Sequence, residues 1–268
     1  MQPHEPRYGI QRSLTAKVDL ARDNRLNRWV VIKHAVSEIE LQVCATIAPW
    51  RPALLDLTDH NDAIFEYWPN PSLAQWFEHP RLDPKWARAV ATNLIDAIAQ
   101  LHAEGWIHGD LHPGNVLADS RGQIRLIDFA SAHIPGATPR THHLAYSSPE
   151  ALAGEACAEP CDTYSLGKLL IELNRRVGLP SWQAKLNASQ HSNPADRATL
   201  EQMRPQPTRR PTWMLLALCL YTTELTPPGP PPNSLREQIR ESQVLGSPSS
   251  GSTRREIPRL LRQPLNKL

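Results

Sequence analysis

The period of the hydrophobic pattern changes once along the chain, near residue 68. Before that point apolar and polar residues alternate in short runs, the two-residue period of half-buried strands. YGIQRSL (8–14) and VDLAR (18–22) carry this alternation roughly, and the basic turn DNRLNR leads into RWVVIK, which ends at Lys33. SEIELQVCATIA (37–48) follows and predicts a helix, because Ser37 is an N-cap residue and Glu40 stands three places on, as in a capping box. ALLDL and AIFEYW predict two more strands on either side of the turn DHND. Residues 7–67 are therefore expected to form a small sheet with one helix.

After residue 68 the period becomes helical. Asp83-Pro84 is a helix start, an N-cap followed by proline at the first helical position. Trp86, Val90, Leu94, Ala97, Ile98 and Leu101 then share one stripe, and Gly105 ends it. IRLIDF (124–129) reads as a short strand; TYSLGKLLIEL (163–173) and PTWMLLALCLYT (211–222) read as apolar helices. From Thr226 onward PPGPPP and GSPSSGS lack the side chains to build a core. The reading is an α+β chain: an N-terminal lobe over 7–67, a mainly helical lobe over 68–225, and a disordered Pro/Ser-rich and basic tail over 226–268. No internal repeat is present.

Composition narrows this picture in a few ways. A hydrophobic share of 40% permits a packed core, and a net charge of +2 gives no argument for nucleic acid or a membrane surface. No apolar run approaches the ~20 residues that span a bilayer, and MQPHEPRYGI lacks the apolar centre of a signal peptide. A cytoplasmic protein is the expectation. Cys44, Cys157, Cys161 and Cys219 are scattered, so neither a metal site nor a disulfide is expected. The tail offers PPGPPP to a proline-recognising groove and a basic, leucine-bearing end to an acidic partner, against the simpler expectation of a linker.

The chemistry concentrates in His108-Gly109-Asp110-Leu111-His112-Pro113-Gly114-Asn115, followed by Asp128-Phe129-Ala130. Phosphoryl transfer asks for a carboxylate that takes a hydroxyl proton and for oxygen ligands that hold Mg²⁺. Asp110 suits the first role; Asn115 and Asp128 suit the second. A hairpin around Ser120-Arg121-Gly122 would return Asp128 to the loop that carries the other two.

This constellation resembles the protein kinase superfamily, in which H-x-D-x-x-x-x-N precedes a D-F-x metal motif. The resemblance extends over roughly 9–222 and implies a two-lobed fold that uses ATP and Mg²⁺ to phosphorylate serine or threonine hydroxyls of a protein. It implies that Lys33, in Val30-Val31-Ile32-Lys33, holds the nucleotide phosphates, with Glu40 rather than Glu38 as its ion-pair partner; Leu41, Cys44 and Ile47 follow Glu40 at helical spacing. Val18, Ala21 and Val31 would roof the adenine and Leu117 would floor it. Glu66 and Trp68, in Phe65-Glu66-Tyr67-Trp68, would meet its edge through backbone groups. His108 would pack under Phe129 and hold the loop. Tyr146-Ser147-Ser148-Pro149-Glu150 resembles the end of an activation segment, Asp162 opens the large helix after it, and Arg210 would pair with Glu150.

The sequence departs from the family pattern at several places. Ser13–Val18 lacks the glycines that bring backbone amides to phosphates, which leaves Lys17 as a substitute contact. Val31 replaces an alanine, and Ala130 replaces a glycine, which removes freedom from that turn. Gly109 replaces an arginine that receives activation-loop phosphate, so activity is expected not to need phosphate on Thr138, Thr141, Ser147 or Ser148. His112-Pro113-Gly114-Asn115 is common in aminoglycoside and choline kinases. Two alternatives therefore stand beside the protein kinase: a small-molecule phosphotransferase, and a catalytically weak pseudokinase or scaffold.

Overall fold

The computed structural model describes residues 6–58, 61–139 and 143–206. The expected helix at 211–222, the end of the helical lobe, Arg210 and the tail lie outside the described residues. A five-stranded antiparallel sheet leads, with spatial order β1-β2-β3-β5-β4: β1 (Tyr8–Thr15), β2 (Val18–Asp23), β3 (Arg28–Lys33), β4 (Leu54–Leu57) and β5 (Ala63–Glu66). Helix α1 (Glu38–Cys44) connects β3 to β4. Then come α2 (Leu73–Trp76), α3 (Pro84–Ala103), the hairpin β6 (Val116–Ala118) and β7 (Ile124–Leu126), α4 (Pro149–Leu152), α5 (Glu159–Val177) and α6 (Pro180–Asn187). This is the two-lobed α+β architecture expected.

Strand parity decides which residues of the sheet face inward. Val18 pairs with Lys33 and Leu20 with Val31, so these four share the face that carries the Lys33 side chain. Ala21 pairs with Val30 on the opposite face, where Ala21, Val30, Ile32 and Ile64 pack beneath Tyr8 and Leu55. Ala21 is therefore not beside Val18 in any roof over the adenine; the odd spacing between them forbids it.

Helix α1 begins as expected, with Ser37 Oγ accepting from the Glu40 N–H at 3.2 Å. Its end does not match. The helix stops at Cys44, and Ile47, expected on its buried stripe, is 86% exposed. The reciprocal half of a capping box is also missing, because the Glu40 carboxylate turns inward instead. A complete box occurs at α2, where Ser72 and Gln75 cap each other.

Helix α3 follows the sequence closely. Asp83 Oδ1 accepts from the Trp86 N–H at 2.8 Å, Pro84 opens the first turn, and the whole expected stripe is buried. Its apolar side chains share one core with Leu166, Leu169, Leu170 and Leu173 of α5 and with Leu126 and Phe129, which follow the loop over residues 108–115. Each large aliphatic side chain buried there contributes roughly 1.5–3 kcal/mol, so α3 and α5 form the platform on which the loops rest.

Cys157 and Cys161 form a disulfide, with Cα atoms 5.9 Å apart, which corrects the expectation of free cysteines. Sequence spacing alone could not show that a turn before α5 brings the two together. Among the described residues no helix is long and apolar enough to cross a membrane.

Candidate active site

Lys33 ends β3 with its Nζ donating to two carboxylates, Glu40 Oε1 at 2.7 Å and Asp128 Oδ1 at 2.6 Å. Burial works to lower the pKa of the ammonium, but the charges of Glu40 and Asp128 outweigh it and leave the pKa raised. Asp128 shows the converse. Burial would raise its carboxyl, yet the Lys33 charge and hydrogen bond keep it below its ordinary value. Glu40 is 2% exposed, and its Oε1 also accepts from the Phe129 N–H at 3.3 Å. Glu38 is exposed and accepts from Gln42, while among the described residues the ion pair with Lys33 falls to Glu40.

The loop over residues 108–115 hangs from α5. Buried Asp162, in the first turn of that helix, accepts from the His108 N–H at 2.7 Å, the Gly109 N–H at 3.0 Å and His102 Nε2 at 2.9 Å. Burial pushes its carboxyl up, but the hydrogen bond and charge of His102 bring it below the ordinary range. His108 lies 5.1 Å from Phe129 and accepts from the Asp110 N–H at 3.3 Å, the loop-holding part expected of it. Gly109 has φ +76, and a Cβ there would stand 2.6 Å from the Ser131 carbonyl oxygen. The glycine is thus a steric requirement of this loop and not simply a missing arginine.

Asn115 occupies a short 3₁₀ turn at the end of the loop. Its Nδ2 donates to the Asp110 carbonyl at 2.9 Å, and its own carbonyl accepts from the Ile127 N–H at 2.9 Å, next to Asp128. The hairpin of β6 and β7 is closed by Asp119, whose Oδ1 accepts from both Arg121 and Gln123 amides at 2.8 Å. Asp128 itself takes the left-handed conformation, φ 63, and Ala130 is not among the positive-φ residues, so the lost glycine costs this turn nothing. Asp110, Asn115, Asp128 and Lys33 are therefore brought together.

The donor set fits the expected groups. Asn115 spends its amide nitrogen within the loop and keeps its amide oxygen; Asp128 adds a carboxylate whose side chain is 47% exposed. Such hard oxygen donors suit Mg²⁺. Asp110 Oδ1 is buried and has no hydrogen-bond donor among the described residues, an unsatisfied acceptor in the middle of the site.

The residues expected to face a nucleotide divide. Val18, Val31 and Lys33 share a sheet face, and Leu117 lies on β6 opposite Arg125. The side chains of Glu66 and Trp68 are already engaged. Arg125 holds Glu66 with two hydrogen bonds, 2.5 and 3.2 Å, and its guanidinium lies 5.2 Å from the Trp68 ring. Trp68 also gives its carbonyl to the Asn70 N–H at 2.8 Å. Arg125 was missed because nothing in IRLIDF marks it as the residue that meets the strand at 63–66. Between β1 and β2 only Ala16 and Lys17 turn the chain, and Lys17 is exposed.

The activation segment shows a partner for Glu150 that the sequence did not single out. Arg197 Nη1 and Nη2 donate to the two Glu150 oxygens at 2.5 and 2.7 Å, while Arg210, the partner expected from the sequence, lies outside the described residues. Ser147 and Ser148 are buried, and Ser148 caps α4, whereas Thr138 is exposed; Thr141 lies outside the described residues. A further feature is a row of rings. His112 lies 4.5 Å from His143, and His143 lies 5.1 Å from Tyr146.

A two-lobed fold whose lysine, paired glutamate, loop aspartate and asparagine, and second aspartate meet between sheet and helices defines a phosphotransferase class. Residues 23–224 match the protein kinase domain family. The chain belongs to the protein kinase family. It is 29% identical to the putative cyclin-dependent kinase F-2 of Oryza sativa over 68% of this chain and 57% of that protein. It is 33% identical to the serine/threonine-protein kinase PkaA of Streptomyces coelicolor over 53% of this chain and 27% of that protein. It is also 30% identical to the serine/threonine-protein kinase PrkC of Bacillus subtilis, over 45% of this chain and 20% of that protein. The matched region thus spans little more than half of the longest-covered of these relatives.

Proposed function

We propose that the chain transfers the terminal phosphoryl group of ATP to serine or threonine hydroxyls of a protein, with Mg²⁺. The observation that carries this reading is the ammonium of Lys33 bonded at once to Glu40 and Asp128, beside an unpaired Asp110 oxygen. Asp110 accepts the proton of the incoming hydroxyl. Lys33 steers the phosphates and Glu40 fixes the lysine. Asn115 and Asp128 would hold Mg²⁺, which when bound supplies charge neutralisation for the phosphoryl oxygens. Val18, Val31 and Leu117 enclose the adenine, while Glu66 and Trp68 contribute backbone only. The protein substrate is supported by the relatives' names and by the Asp162 and Glu150–Arg197 scaffold under the activation segment.

A weakly catalytic, nucleotide-binding scaffold is the second reading, favoured by the two-residue turn between β1 and β2, which has no glycine. The test is autophosphorylation, and phosphorylation of generic protein substrates, with labelled ATP and Mg²⁺. Asp110→Asn should cut turnover by about 10²–10⁴ and leave the melting temperature in place, and Lys33→Met should also cut it. Wild-type protein that melts higher with ATP and Mg²⁺ but transfers no phosphate would favour the scaffold reading. Phosphorylation of amino alcohols or aminoglycosides in place of protein would refute the substrate class.

A further inference from the structure

His112 touches more of the site than its place two residues after Asp110 suggests. Its Nδ1 accepts from the Gly114 N–H at 3.1 Å, which makes it the cap of the 3₁₀ turn containing Asn115. Its Nε2 lies 3.9 Å from Asp110 Oδ2. A Cβ on Gly114 would stand 2.8 Å from the imidazole, so the turn packs directly against the ring. On its other side the ring meets His143 at 4.5 Å, in the closing part of the activation segment, and the row ends at Tyr146.

That closing part is itself tied down. The His143 carbonyl accepts from both Tyr146 and Ser147 amides at 2.9 Å, Lys168 Nζ donates to the Ala145 carbonyl at 2.9 Å, and the Tyr146 hydroxyl bonds Glu172 of α5. Gly109 brings no cation to the loop that could meet an activation-segment phosphate. A contact that needs no phosphate, ring against ring, stands between the catalytic loop and the activation segment.

We infer that His112 is a positioning residue, which through its Gly114 hydrogen bond and its stack on His143 locks the Asp110–Asn115 loop to an unphosphorylated activation segment. This rests on the phosphotransfer reading for its kinetic consequence but not for its structural one. The row should hold the segment whether or not the chain is an effective enzyme.

The test therefore uses two readouts on the full chain. Hydrogen exchange of the 143–147 amides reports the lock. Steady-state phosphotransfer reports kcat and the KM for ATP. His112→Ala and His143→Ala should each speed exchange across 143–147 and lower kcat by about tenfold or more, since small misplacements of reacting groups are costly, with KM for ATP little changed. His143→Phe should restore both readouts, because it keeps a ring without the imidazole. His112→Asn should preserve the Gly114 cap while losing the stack, and so behave like His143→Ala. The double variant His112→Ala/His143→Ala should be no worse than His112→Ala alone, because the ring contact is already lost there. Additive losses, unchanged exchange, or a His143→Phe variant as poor as His143→Ala would overturn the inference. Wild-type protein that transfers no phosphate, yet shows the exchange pattern above, would refute the phosphotransfer reading and leave the lock standing.

Discussion

Replacing Arg197 by alanine should destabilise the helical lobe more than any surface change. The Arg197 side chain is 1% exposed, and its fork serves five acceptors besides packing on Tyr164. These are the two Glu150 oxygens, the Pro160 carbonyl at 2.9 Å, the His191 carbonyl at 2.9 Å and the Ser192 carbonyl at 3.3 Å. Truncation leaves the Glu150 carboxylate buried without its cation. The cost of stranding one member of a buried pair is about 3–5 kcal/mol. At about 2–4 °C per kcal/mol for a domain of this size, the melting temperature should fall by about 6–20 °C. The pH dependence carries a sign. Burial would raise the Glu150 carboxyl, but Arg197 holds it below its ordinary value, so the pair stabilises above the unfolded pKa and stops doing so as pH falls through the folded one. The gap between wild type and Arg197→Ala, followed by calorimetry, should therefore be wide at neutral pH and shrink in acid. Glu150→Ala combined with Arg197→Ala should cost less than the two single losses added. A single variant melting with the wild type, or a gap that widens in acid, would refute the argument.

Three further outcomes follow from the structure. Gly109→Ala forces a side chain onto φ +76 against the Ser131 carbonyl; it should cost about 1–3 kcal/mol in denaturant unfolding, and a neutral result would show that the loop relaxes easily. His34 lies between Asp19 at 2.9 Å and Asp62 at 3.1 Å, and these hydrogen bonds raise its pKa. Its stabilising contribution should be full below the unfolded value of about 6.5 and fade as pH rises through the folded one; a His34→Gln variant should lack that slope in melting temperature against pH. Phosphatase treatment should leave activity within about twofold, because the loop offers no arginine at position 109 to a phosphate; a large loss would contradict this.

The local part of the fold was legible because it is written in short-range physics. The Asp83-Pro84 start and buried stripe of α3 and the strand ending at Lys33 depend on neighbours within a few residues. So does the loop that carries Asp110 and Asn115, with its return to Asp128. The residue types at that spacing were enough to point to the protein kinase family. What the sequence left open involved either parity or distance along the chain. Ala21 fell on the outer face of the sheet because three residues in a strand reverse direction, and Ile47 fell outside α1 because the helix ends at Cys44.

Distance accounts for the rest. Glu150 accepts Arg197 from 47 residues away, Glu66 accepts Arg125 from 59, and Lys33 meets Asp128 across 95. Only the last pair had a motif at each end to announce it. The sequence by itself determined most of the elements and the residue types gathered at positions 33, 110, 115 and 128, since propensity, capping and residue type are local properties. The tertiary structure alone decided which charges become partners and which rings stack, because burying a carboxylate or an imidazole depends on what the packed lobe places opposite it.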